Sequence, residues 1–169
     1  LKEMHHATLK ILETVGVRVL HEDAKKMLEK AGGHITENDC VQIPSFMVES
    51  AIESAPSRVR IYDRNGQESM DLEGRQVYYG LGTDLLRTYD LETGKLRNSC
   101  LQDVIHAAIV ADYCKEIDFI ASHGFPHEIH KNLAFVAEFK AQVEHSTKPI
   151  YFTAAGSEDL SVVLDMASI

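Results

Sequence analysis

Positive charge is what this 169-residue sequence has least of. Lys and Arg number 17 against 26 Asp and Glu, a formal net charge of −9. With no basic cluster to offset the repulsion, nucleic-acid phosphate is excluded as a partner. Cysteine is scarce too. Cys40, Cys100 and Cys114 are odd in number and form no C-x-x-C pair, which argues against a disulfide frame or zinc ribbon and for a reducing cytoplasm. No apolar run reaches membrane-spanning length, and no signal-peptide pattern opens the chain. Familiar catalytic patterns are missing as well: there is no Ser-His-Asp order, no carboxylate pair at a recognisable spacing and no reactive-cysteine context.

What is present is the apolar content, 44%, of an ordinary globular domain able to bury a core. The chain begins "LKEMHHATLKIL" without an initiator Met and stops in the amphipathic "LSVVLDMASI", so part of a longer protein is expected. Residues 1–75 read as a small α+β cap. Met4, Thr8, Ile11, Leu12 and Val15 share a helical face that Gly16 ends, and Ala24, Met27, Leu28 and Ala31 mark a second helix before Gly32. A third follows Pro44 and stops before Pro56. "CVQIP" alternates like a strand, and Asn65-Gly66 signals a hairpin.

From residue 76 to 169 the pattern becomes β-α-β-α-β-α. "VYYGLGTD", "IDFIASHGF" and "KPIYFTAAG" read as strands, with a hairpin turning at Thr93-Gly94, a Ser99/Gln102 capping box opening the first helix and Ser157 capping the last. Units recurring every 35 to 40 residues suit a parallel sheet, either a small open one or the first βα units of a (β/α)8 barrel. The fold class expected is α/β, a partial TIM barrel preceded by the α+β region.

Ligands in such folds sit at the carboxyl ends of the strands. That rule selects "GLGTD", "SHGFPHE" and "TAAGSED", and from them Thr83, Asp84, His123, Phe125 and Thr153 as substrate-binding candidates. An acid at a strand end can face a cation. "HEIH" spaces His127 and His130 by three, where a zinc helix needs i and i+4, so no metal ligand is assigned. "GLGTD" lacks the glycine that would complete a dinucleotide fingerprint, and both a structural and a ligand loop stay open. "TAAGSED" resembles a phosphate-binding turn, but Glu158 and Asp159 would repel phosphate and instead complement the helix dipole. Among the nearby aromatics, Tyr78, Tyr79, Phe125, Tyr151 and Phe152, two or three facing inward would form a cation–π cage.

In "VGVRVL", "APSRVRIYDR", "YDLETGKLR" and "TKPIYFTA", taken in order, the sequence resembles the N-terminal portion of the trimethylamine methyltransferase family. The resemblance covers nearly the whole chain and implies a (β/α)8-barrel enzyme. Such an enzyme moves a methyl group from a methylated amine to the Co(I) of a corrinoid (cobalamin) carried by a separate partner protein. It further implies a cytoplasmic enzyme of methylamine metabolism, with no cofactor bound by this segment. Overall similarity leans to the members that act without pyrrolysine on quaternary amines such as glycine betaine. No family catalytic residue maps onto a position here. Two other classes stay open: a metal-dependent barrel hydrolase using His123, and a non-catalytic module that binds methylated amines.

Overall fold

A computed structural model describes residues 1–168. The chain forms two compact units, Leu1–Ser57 and Arg58–Ile169.

The first unit runs α1 (Lys2–Thr14), β1 (Val17–Arg18), α2 (Glu22–Lys30), β2 (His34–Ile35), β3 (Cys40–Gln42) and α3 (Ser45–Ser54). The expected helices form, and α1 packs on α3. β3 is the middle strand, antiparallel to both neighbours, and its fully buried Val41 pairs with Val17 and Ile35. Gly16 is required twice over. Its φ is +81°, and a Cβ there would lie 2.5 Å from the Val41 carbonyl oxygen.

The second unit opens with the hairpin β4 (Arg58–Tyr62) and β5 (Glu68–Glu73), followed by the hairpin β6 (Arg87–Tyr89) and β7 (Leu96–Asn98), then α4 (Leu101–Tyr113), α5 (Ala134–His145) and α6 (Ser157–Ala167). Both turns fall where the sequence places them. Asp63 accepts from the N–H groups of Asn65 and Gln67, each at 2.9 Å, and Asp90 Oδ1 accepts from Thr93 N at 2.9 Å. The sequence pattern groups the first hairpin with residues 1–75, yet it packs within the second unit. Arg64 is the reason: its backbone N–H donates to Thr147 O at 2.8 Å, and its guanidinium donates to the carbonyls of Val143 and Ser146 at the end of α5.

The three segments expected as barrel strands run parallel and in the expected order, joined by bridges at Gly80–Phe119 and Ile120–Ile150. Asp118 N donates to Tyr79 O at 2.7 Å, and Tyr151 N to Ile120 O at 2.8 Å. They stay isolated bridges. Three segments joined by isolated bridges cannot supply the eight staggered strands a closed barrel needs, so the partial TIM barrel is here a mixed α/β fold in which no sheet closes. At the first bridge the Phe119 ring fills the space of the absent Gly80 side chain, 2.3 Å from where a Cβ would stand.

Behind these segments Ile120 is fully buried against Ala108 and Ala111 of α4, flanked by Leu81, Ile117 and Ile150; covering an Ile contributes about 2 kcal/mol. Lys148 closes the carboxyl end of α4, its ammonium donating to the carbonyls of Ala111, Cys114 and Ile117 at 2.6, 2.5 and 2.6 Å. Two expected caps are displaced. The cap of α4 is Cys100 rather than Ser99, because Asp103, which accepts from Cys100 N at 2.9 Å, is also held by both ends of the Arg97 guanidinium at 2.7 and 2.8 Å. Ser99 is buried instead. In α6 the N-cap is Gly156, and Ser157 is already the first helical residue.

Candidate functional site

The carboxyl ends of the three parallel segments meet at Asp84. Its φ of +56° is left-handed, a conformation Asp tolerates better than most residues. Ser122, at the end of the second segment, donates its hydroxyl to Asp84 Oδ1 at 3.0 Å and accepts the Asp84 backbone N–H at 3.1 Å. Thr153, at the end of the third, donates to Asp84 Oδ2 at 2.9 Å. Both carboxylate oxygens are thus held by neutral hydroxyls, and no cation neutralises them among the described residues. Such hydrogen bonds orient an anion and leave its charge available to a ligand.

Of the five candidates, the structure brings Asp84 and Thr153 together and separates the rest. His123 is turned away by its own φ of +61°, which breaks the alternation of a strand. Its side chain lines a different cleft, of about 350 Å³, with Leu81, Tyr89, His106, Val110 and Cys114. Phe125 lies in an aromatic group, edge-on to His127 and Phe135 with ring centroids 5.4 and 5.8 Å away. It lines a third cleft, of about 520 Å³, shared with Lys131, Glu158 and Asp159. Thr83 is half-buried, and its side chain forms no hydrogen bond among the described residues. The aromatic cage does not assemble: Tyr79 and Tyr151 are exposed, Phe152 packs on Phe139, and the Tyr78 hydroxyl bonds the backbone of Asp71.

The histidine-rich stretch resolves into separate structural contacts. His127 Nε2 meets Leu86 O at 3.0 Å, His130 Nδ1 accepts from Asn132 N at 3.4 Å, and Glu128 accepts from Leu101 N at 2.7 Å at the start of α4. Among the described residues no group of three or more His, Cys, Asp or Glu side chains is arranged to hold a metal ion.

Two residues of the site are not signalled by the sequence. Ser122 is 1% exposed and is the hinge of the Asp84 network. Glu138, on α5, is 2% exposed. Burial, with the negative charge of Asp84 nearby, pushes that carboxyl up to about 8. One turn on, Gln142 is as deeply buried and donates to Glu138 O at 3.2 Å; Oε1 of each side chain is without a partner among the described residues.

A charge-bearing acid held by hydroxyls thus lies at the ends of the parallel segments of a mixed α/β protein, the edge where such folds take their ligands. Comparison with known proteins narrows this. The family model for trimethylamine methyltransferase (MTTB) matches residues 1–169, and the chain belongs to that family. It is 26% identical over 169 residues to trimethylamine methyltransferase MttB of Desulfitobacterium hafniense (strain DSM 10664 / DCB-2), covering 98% of this chain and 34% of the relative. To the glycine betaine methyltransferase of Desulfitobacterium hafniense (strain Y51) it is 24% identical, covering 99% and 35%. To trimethylamine methyltransferase MttB1 of Methanosarcina acetivorans it is 26% identical over 159 residues, covering 86% and 32%. The chain therefore spans about a third of the length of these relatives.

Proposed function

We propose that this chain is part of a cytoplasmic methyltransferase that moves a methyl group from a tertiary or quaternary methylated amine to the Co(I) of a corrinoid carried by a cognate protein. The observation that carries the reading is the family match over every residue of the chain; the network at Asp84 supports where the amine would sit. In this reading residues 76–169 supply the first βα units of the catalytic domain.

Co(I) is itself a strong nucleophile, so the protein's task is to hold the N-methyl bond in line and balance the charge of the nitrogen. Asp84, its oxygens oriented by Ser122 and Thr153, faces the ammonium; Thr83 precedes it in the chain, and His123 and Phe125 line separate clefts. The corrinoid is a co-substrate and supplies only the methyl-accepting cobalt. An amine already bearing four carbons leaves without an activating adduct, and we place the chain with the members that use such a substrate, of the glycine betaine kind.

The test is an assay of the longest natural polypeptide carrying this sequence, with trimethylamine, glycine betaine and related quaternary amines, and a Co(I) corrinoid as acceptor. Methylation, read from the cobalt absorbance, is expected with a quaternary amine. Transfer from trimethylamine alone would overturn the substrate assignment, and silence with every amine would overturn the reaction.

A further inference from the structure

The second parallel segment ends in a three-residue turn centred on His123. Gly124 N donates to Ser122 O at 2.7 Å, and His123 has a φ of +61°. A bond from residue i to i+2 with positive φ between them is the rare and strained form of γ-turn. His tolerates such a backbone better than most residues, and a β-branched side chain tolerates it worst. The turn grips the first segment on both sides of Asp84. His123 N donates to Gly82 O and His123 O accepts from Leu85 N, each at 3.0 Å, so this one residue spans Thr83 and Asp84 together. In evenly spaced parallel pairing it would span one. The bridges at Gly80–Phe119 and Leu85–Gly124 keep a single register, in which Asp84 and His123 are partners, and both are left-handed. Inside this bracket the Asp84 N–H is met by Ser122 Oγ at 3.1 Å, and the same hydroxyl donates to Asp84 Oδ1 at 3.0 Å.

We propose that His123 is a positioning residue for Asp84 and acts through its backbone: its left-handed turn sets Ser122 against Asp84, and the imidazole takes no part. This deepens the reading of Asp84 as the amine-facing group and rests on it for its functional meaning. The surroundings agree. The imidazole lines a separate cleft with Leu81, His106 and Cys114, away from the carboxylate. The backbone leaving the turn is pressed against buried Ser99, whose Cβ would lie 2.9 Å from a Cβ on Gly124. Strain of this kind persists only where the surroundings over-determine it, and it gathers at ligand sites.

Variants at position 123, made in the longest natural polypeptide carrying this sequence, separate backbone from imidazole. H123N removes the imidazole and keeps a residue suited to positive φ, whereas H123V disfavours the turn. Hydrogen exchange should show the Leu85 amide, which donates to His123 O, protected equally in wild type and H123N. In H123V it should exchange roughly tenfold faster while α4 and α5 stay protected. Calorimetry should compare glycine betaine with the tert-butylacetate anion, its isostere with carbon in place of the charged nitrogen. The preference for the betaine reports where the Asp84 charge stands; it should be the same in H123N as in wild type and fall about tenfold in H123V. A general loosening of the fold would weaken both ligands alike and leave the ratio unchanged. Loss of the preference in H123N would give the role to the imidazole and overturn the proposal, as would wild-type exchange and preference in H123V. If H123V fails to fold, H123A decides on the same two readouts, with a smaller loss expected. A wild type that binds the betaine no better than the isostere would sink Asp84 as the amine-facing group, and the exchange pattern alone would then decide whether His123 holds the turn.

Discussion

Lys148 and Glu138 are both ionisable side chains set among the helices of the second unit, and they are treated in opposite ways. Each hydrogen of the Lys148 ammonium meets a carbonyl, two at the end of α4 and one, of Ile117, just beyond it. Glu138 has an oxygen with no partner at all among the described residues, and its neighbour Asp84 makes its ionisation harder. A saturated group can only hold structure together. A group left short of partners beside a strand-end carboxylate carries a cost that packing alone does not explain, and that contrast separates scaffold from site in this chain.

The largest effect expected is on the scaffold side. Lys148→Met removes three charge-assisted hydrogen bonds and leaves three carbonyls short, and should lower stability by about 3 kcal/mol in denaturant unfolding without altering ligand affinity in the folded fraction. A loss below about 1 kcal/mol would mean that water replaces the ammonium and that the contrast is overdrawn.

Next is the pH dependence of Glu138. Its folded value, about 8, lies above the ordinary 4.5, so between these limits the folded state binds more protons than the unfolded one. Stability should therefore fall as pH rises from about 4.5 to about 8, and level off outside that window. The decline attributable to this group is a few kcal/mol, at most about 5, and E138Q should flatten it in paired urea titrations.

On the site side, Asp84→Asn keeps a residue suited to the left-handed backbone and removes the charge. It should cut methyl transfer by about tenfold or more with the circular dichroism spectrum unchanged. Asp84→Ala should lose as much activity and also some stability, of about 1 kcal/mol, from its poorer tolerance of positive φ. Unchanged activity in Asp84→Asn would take the carboxylate out of the site. The smallest effect is expected at His127: replacement by Ala should cost only about 0.5 kcal/mol, the worth of one exposed bond to Leu86 O, with no change in bound metal by elemental analysis.

Legibility in the sequence followed the range of the forces involved. The stops at Gly16 and Gly32 and the turns at Asn65-Gly66 and Thr93-Gly94 are local, decided by residues that tolerate positive φ, and the structure has them where the sequence puts them. The meeting of Asp84 with Thr153 was also legible, through the rule that parallel segments present their carboxyl ends together. Position 138 was not. It reads as a polar residue on an amphipathic helix, and only the packing of α5 behind the strand ends buries it. Which way His123 faces was not legible either, because its φ of +61° breaks the alternation of a strand. The cap of α4 moved by one residue because Arg97, outside the helix, captures Asp103.

The glycine at position 80 has a bearing on the site that its distance along the chain conceals. With the Phe119 ring filling the place of a side chain there, the first two segments are pinned against sliding. A slip of one residue between neighbouring strands turns every side chain to the opposite face, and it would carry Ser122 away from Asp84. Gly80 and Phe119 thus act as an alignment key: they keep two strand ends level, so that a carboxylate and a hydroxyl from distant parts of the sequence arrive at the same height.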